Sequence, residues 1–172
     1  MQFLILGMLM LAPMSLYDVH KQFTAGASLF YSASFGSIQR ALARLSADGL
    51  VSVREEPVSA RGRKVHAATP SGVAAWREWM RTPGEGANPE RVMLAKVYLL
   101  GLMPAGSQRD EVLDMLRASA AAARAELEAV ERALDAQPVP EGYREIFAYQ
   151  RATLDYGLRA HRLACEWLDE LT

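Results

Sequence analysis

Cysteine is almost missing from this chain: Cys165 is its single thiol in 172 residues. No disulfide can form within the chain, and a reducing compartment, the cytoplasm, is the expected setting. Long apolar runs are missing too. The opening MQFLILGMLMLAPM has no basic segment ahead of it, and its run from Phe3 to Met14 falls short of the ~20 residues that cross a bilayer. It reads as a buried first helix ended near Pro13. No phosphate loop, dinucleotide fingerprint or nucleophile elbow occurs. His161, Cys165 and Asp169 stand four residues apart and offer one face of a metal site, but His20 and His66 are distant in sequence. A lone cysteine on an apolar ridge is expected to behave as a small hydrophobe. The expectation is therefore a protein that is not an enzyme and holds no metal or cofactor.

β-branched residues are few beside alanine, leucine, arginine and glutamate, which predicts a mainly α protein. At this length the chain holds one ordinary domain, or a small domain with a helical extension, and buries a real core. The net charge of −1 hides an asymmetry: residues 1–80 carry about +3 and residues 81–172 about −4. A mildly basic front half is compatible with a polyanionic partner.

Local signals divide the chain further. Ser15, followed by Asp18, opens a second helix with Leu16, Val19 and Phe23 on one face. In SFGSIQRALARLSADGLVSV, Ser34 caps a third helix and Gly49 stops it. Ile38, Leu42 and Leu45 share one stripe of that helix, with Ser37, Arg40 and Arg44 on another. LVSV and KVHAA read as two strands around the polar loop REEPVSARGR. Three short helices and a hairpin predict a winged helix-turn-helix. Thr69 and Pro70 open a fourth helix, and the glycine- and proline-rich RTPGEGANPE marks a linker. The division expected is a DNA-binding domain over 1–82 and a helical dimerisation domain over 83–172.

In the second part, Asn88 and Pro89 start a helix apolar on nearly all sides, which is expected to be buried. A helix from near Ser107 carries Leu113, Leu116, Ala120, Ala123, Leu127, Val130 and Leu134 in heptad rhythm. The last segment, Tyr143 to Leu171, would run ~43 Å as a helix. It bears two apolar ridges: Phe147, Leu154, Leu158, Cys165 and Leu168, and beside it Ile146, Tyr149, Tyr156, Leu163, Trp167 and Leu171. One partner helix covers only one ridge, so a homodimer is expected through this part.

Donors on the third helix suit the major groove. Arg40 and Arg44 reach phosphates or base edges, and Gln39 suits a paired contact to adenine. The alternative is a merely solvated charged face. In the wing, Arg54, Arg61, Arg63 and Lys64 are candidates for phosphate contacts, against which Glu55 and Glu56 offer internal ion pairs. Trp76 and Trp79, three apart beside the linker, are candidates to line a cavity for a small aromatic effector, the alternative being core packing.

From LILGMLMLAPMSLYDVHKQF through SFGSIQRALARLSADGLV to GRKVHAATPSG, the chain resembles the amino-terminal domain of PadR-type transcriptional regulators. PERVMLAKVYLLGLM, the heptad helix and YQRATLDYGLRAHRLACEWLDEL resemble the carboxy-terminal region of the branch related to virulence activator alpha. The resemblance implies a cytoplasmic bacterial DNA-binding dimer, usually a repressor, some members of which bind aromatic effectors. It places Tyr17, Ser34, Gly36 and Ser37 at the start of the DNA-reading elements and matches Arg63 and Lys64 to the wing's basic pair. Gln39 departs from the family's usual tyrosine, Leu16 from a glycine, and Val65 and His66 from wing aromatics, so the operator is not carried over. A coiled-coil adaptor without specific DNA binding is the alternative function.

Overall fold

The computed structural model describes residues 1–56, 63–84 and 88–171. Arg61 and the rest of the expected wing tip, with residues 85–87 of the expected linker, lie outside the described residues. Two compact units divide the chain, Met1–Arg109 and Asp110–Thr172.

The first unit is built around α1 (Gln2–Leu11), in which Leu4, Ile5, Leu6, Met8 and Leu9 are all buried. Each such side chain contributes about 1.5–3 kcal/mol on leaving water. A helix buried all round needs neighbours on every side, and Gly7 lets them in. A Cβ there would stand 2.7 Å from Leu99 Cδ1 and 3.0 Å from Trp76 Nε1. After α1 the chain extends into a two-residue strand β1 (Met14–Ser15), which the sequence reading lacks.

Helix α2 (Leu16–Ala25) begins with the expected reciprocal cap. Ser15 Oγ accepts from Asp18 N at 3.3 Å, and Asp18 Oδ2 accepts from Ser15 N at 2.9 Å. Helix α3 (Phe35–Ala47) begins at Ser34, whose Oγ accepts from Ser37 N at 3.2 Å. It ends at Gly49, whose φ of 71° lies in the left-handed region that glycine enters without strain.

Strands β2 (Val51–Glu56) and β3 (Arg63–Ala68) pair antiparallel from Val51↔Ala68 to Glu56↔Arg63. β1 pairs on the other side of β3, giving the order β1-β3-β2. Three helices with this small sheet are a winged helix-turn-helix. Helix α4 (Pro70–Arg81) follows, with Thr69 Oγ1 accepting from Gly72 N at 3.0 Å.

The compact unit continues past the linker, because α5 (Pro89–Leu99) packs with α1 through Leu99. Of α5, Ala95, Lys96 and Leu99 are buried, Arg91 to Leu94 are half-buried and Tyr98 is exposed. Burial is thus less complete than its apolar sequence predicts.

The second unit is an antiparallel hairpin of α6 (Ser107–Asp135, from Asp110 onward) and α7 (Arg144–Asp169). Arg117 of α6 donates to the carbonyls of Leu168 at 3.2 Å and Leu171 at 2.7 Å, a cation placed at the negative end of the α7 dipole. At the other end Arg151 of α7 pairs with Glu131 at 3.0 Å and Asp135 at 3.2 Å. Between them, Leu127 of the heptad seam lies against Gly157. The seam is buried at Leu113, Leu116 and Ala120, half-buried at Ala123, Leu127 and Leu134, and exposed at Val130.

Candidate nucleic-acid interface

Helix α3 separates its residues by periodicity. Ile38, Ala41, Leu42 and Leu45 are buried, whereas Gln39, Arg40, Ala43 and Arg44 are exposed. The apolar stripe fixes the helix against the unit and leaves the cationic stripe facing water. Arg44 approaches Asp48 at 3.8 Å, but both side chains are more than half exposed. Such a pair contributes well under about 1 kcal/mol and is readily exchanged for a phosphate.

The serines are committed to the helix start. Ser37 Oγ donates to Ser34 O at 2.7 Å, so this hydroxyl closes the first turn. Ser34 Oγ accepts from Ser37 N while its side chain stays exposed, and among the described residues its own proton meets no acceptor. The ring of His20 in α2 meets Phe35 in the first turn of α3 at 5.4 Å, tying the two helices together there. Tyr17, in the first turn of α2, is 67% exposed.

The wing residues part company. Lys64 and Glu55 are cross-strand partners with a loose 3.8 Å ion pair, the internal pairing that the sequence offered as an alternative. Arg63 instead pairs with Asp18, 45 positions away, through Nη2 and Oδ2. Hydrogen bonds from the Ser15 side chain and backbone, and then the Arg63 guanidinium, hold the Asp18 carboxyl below its usual value. His66 is pushed down by burial, against the opposing pull of the Met14 backbone, and is neutral at pH 7.

Trp76 and Trp79 lie in the packing of the first unit. Trp76 is fully buried, and among the described residues its Nε1 has no hydrogen-bond partner. Trp79 stacks on Phe3 at 5.2 Å with the rings 9° apart, and the ammonium of Lys96 lies 5.1 Å from its ring centre. Lys96 is the group that sequence reasoning missed. It is fully buried, donates to the carbonyls of Met80 at 3.4 Å and of Thr82, and so closes the C-terminal end of α4. Burial lowers its pKa to about 8. A cavity of about 220 Å³ lies elsewhere, between α6 and α7, lined by Glu128, Glu131, Asp155, Leu158, Arg159 and Arg162. Its carboxylates are matched internally, by Arg124–Glu128 at 2.7 Å, Arg151–Glu131 at 3.0 Å and Arg159–Asp155 at 2.9 Å.

Comparison with known proteins bears mainly on the second part of the chain. Residues 91–172 match the family model described as virulence activator alpha C-term. The match covers 82 of the 172 residues, a little under half of the chain. The matched residues take in α5 from Arg91 onward, α6 and α7. Similar solved structures span nearly the whole chain. Bacillus subtilis PadR in complex with operator DNA is 21% identical, covering 99% of this chain and 96% of that one, with a TM-score of 0.46. The Vibrio cholerae virulence activator AphA is 25% identical, covering 98% and 94%, with a TM-score of 0.44. A PadR-like transcriptional regulator from Bacillus cereus is 21% identical, covering 98% and 93%, with a TM-score of 0.42. No curated protein matches the sequence. Among the described residues no helix is long and apolar enough to cross a membrane.

Proposed function

We propose that this chain is a transcriptional regulator of PadR type, a repressor that binds a palindromic operator as a homodimer in the cytoplasm and performs no catalysis. One observation carries the reading: α3 buries Ile38, Leu42 and Leu45 while presenting Gln39, Arg40 and Arg44 to water within a winged helix-turn-helix. A helix of that kind fits the major groove, where arginine pairs with guanine or phosphate and glutamine with adenine. Ser34 and Tyr17 supply hydroxyls for backbone contacts, and Lys64 supplies a wing cation.

The homodimer is supported by α7. Its second ridge stays uncovered within the chain, with Ile146 56%, Tyr149 73%, Tyr156 76% and Leu163 66% exposed. With Thr153, Ala160 and Trp167 these residues keep a heptad rhythm along one face, which suits a second α7 related by twofold symmetry. On this reading residues 1–82 bind DNA and residues 83–172 serve pairing, with α5 packed into the first compact unit. The packing of Trp76 and Trp79 supports a core role for both, and no effector is proposed.

A mobility-shift titration on the promoter fragment next to the chain's own coding region tests the function. Binding at physiological salt that persists over excess competitor DNA is expected, with half-sites about 34 Å apart or a multiple of that. Arg40→Ala with Arg44→Ala abolishes the preference, each arginine being worth about 1–3 kcal/mol. Binding that is only nonspecific and salt-labile favours the coiled-coil adaptor instead.

A further inference from the structure

If both basic residues at the base of the wing met phosphate, the placement of Arg63 would be odd. Arg63 opens β3, and its Nη2 donates to Asp18 Oδ2 in the first turn of α2. The same oxygen already accepts from Ser15 N at 2.9 Å and Ser15 Oγ at 2.7 Å. Ser15 in turn pairs across β1 with Val65, two residues beyond Arg63. Asp18, Ser15, Val65 and Arg63 therefore close a ring of contacts that joins the start of α2, β1 and β3. Drawing Arg63 off to a phosphate would break that ring. It would also bare a carboxylate beside Tyr17, where a DNA backbone is meant to approach. Lys64 is differently placed: it and Glu55 are 67% and 70% exposed at 3.8 Å, so exchanging Glu55 for a phosphate sacrifices little.

We infer that Arg63 is a positioning residue, which braces the returning strand of the wing against the start of α2 and covers the Asp18 carboxylate, and that Lys64 is the cation at the base of the wing that meets phosphate. This rests on the proposed reading that the wing side of the unit faces DNA. The three hydrogen bonds on one oxygen keep Asp18 ionised at any working pH, so the cover is always needed.

The test uses the full chain and four forms of it: wild type, Arg63→Gln, Asp18→Asn and the double variant, with Lys64→Gln alongside. Titrations of the same promoter fragment over a range of salt are expected to show Arg63→Gln weakening binding about tenfold in the wild-type background and under about twofold beside Asp18→Asn, as coupled neighbours do. The salt slope stays unchanged for Arg63→Gln and falls by about 1.8 for Lys64→Gln, the loss of one phosphate contact per subunit of the dimer. An equal loss in both backgrounds, with a lower slope for Arg63→Gln, makes Arg63 a direct contact and overturns the inference. Thermal unfolding of the same forms without DNA decides the brace separately. Arg63→Gln is expected to lower the midpoint only where Asp18 is present, and additive shifts refute the brace. A chain that prefers no DNA fragment sinks the proposed function and the phosphate role of Lys64 with it, leaving the unfolding result to stand or fall alone.

Discussion

The two compact units of this chain hide their apolar residues to different degrees. In the first, α1 is enclosed on every side and α2, α3 and α4 each bury one stripe, so the winged helix has a core of its own. In the second, 62 of whose residues are described, only Val112, Leu113, Leu116, Ala120, Leu158 and Leu168 are fully buried apolar side chains, while tyrosines and aliphatics of α7 face water. A surface of that kind on a helical hairpin marks an interaction site. The lesson is one of self-sufficiency: the first unit encloses its own core, and the hairpin leaves one apolar ridge to water.

The strongest way to break this contrast is to charge the uncovered ridge. Tyr156→Glu with Leu163→Glu is expected to leave a folded monomer by sedimentation, with operator affinity lowered by 10²–10⁴, roughly the avidity that joining two sites provides. A variant that stays dimeric would move the pairing surface elsewhere. Next in size is core truncation. Leu6→Ala is expected to cost about 2–5 kcal/mol by denaturant titration, and the loss should not depend on protein concentration. Leu154→Ala, on the half-buried ridge of α7, should cost less.

The buried ammonium of Lys96 sharpens the comparison within the first unit. Its folded pKa of about 8 lies below the ordinary 10.5, so between those values the unfolded chain holds a proton that the folded one releases. Stability therefore rises with pH across that window, by about 3 kcal/mol at most. Lys96→Met should flatten the rise in pH-dependent unfolding. A slope that survives the substitution assigns the effect to another group. The smallest expected effect is at Asp18, whose lowered pKa adds stability above the usual carboxylate range. This contribution disappears as pH falls through the folded value, and Asp18→Asn should remove that acid limb.

How much of this was legible depends on how far apart the cooperating residues are in the chain. Ser34, Thr69 with Pro70, and Asn88 with Pro89 announce helix starts because a cap is a bargain between neighbours, and all three side chains cap as expected. Gly49 announces a stop for the same reason. β1 was not legible, since two residues have no period and acquire strand character only by meeting β3, some 50 positions on. Neither was the fate of Lys96, a charged residue in an apolar helix whose partners are backbone carbonyls of α4. The split of α3 into buried and exposed faces was legible, because one helix separates its own residues, whereas the pairing of Arg63 with Asp18 was not, because that partner lies on another element.

Thr69 has a consequence beyond starting α4. Its amide donates to Leu50 O at 3.0 Å and its hydroxyl to Gly49 O at 2.9 Å, so the chain is fastened at both ends of the β-hairpin. Lengthening a loop whose ends are already held adds only about 0.6 kcal/mol per doubling. The two strands can therefore be joined by more or fewer residues while α3 keeps its position, because the clasp at Thr69 does not depend on what lies between them.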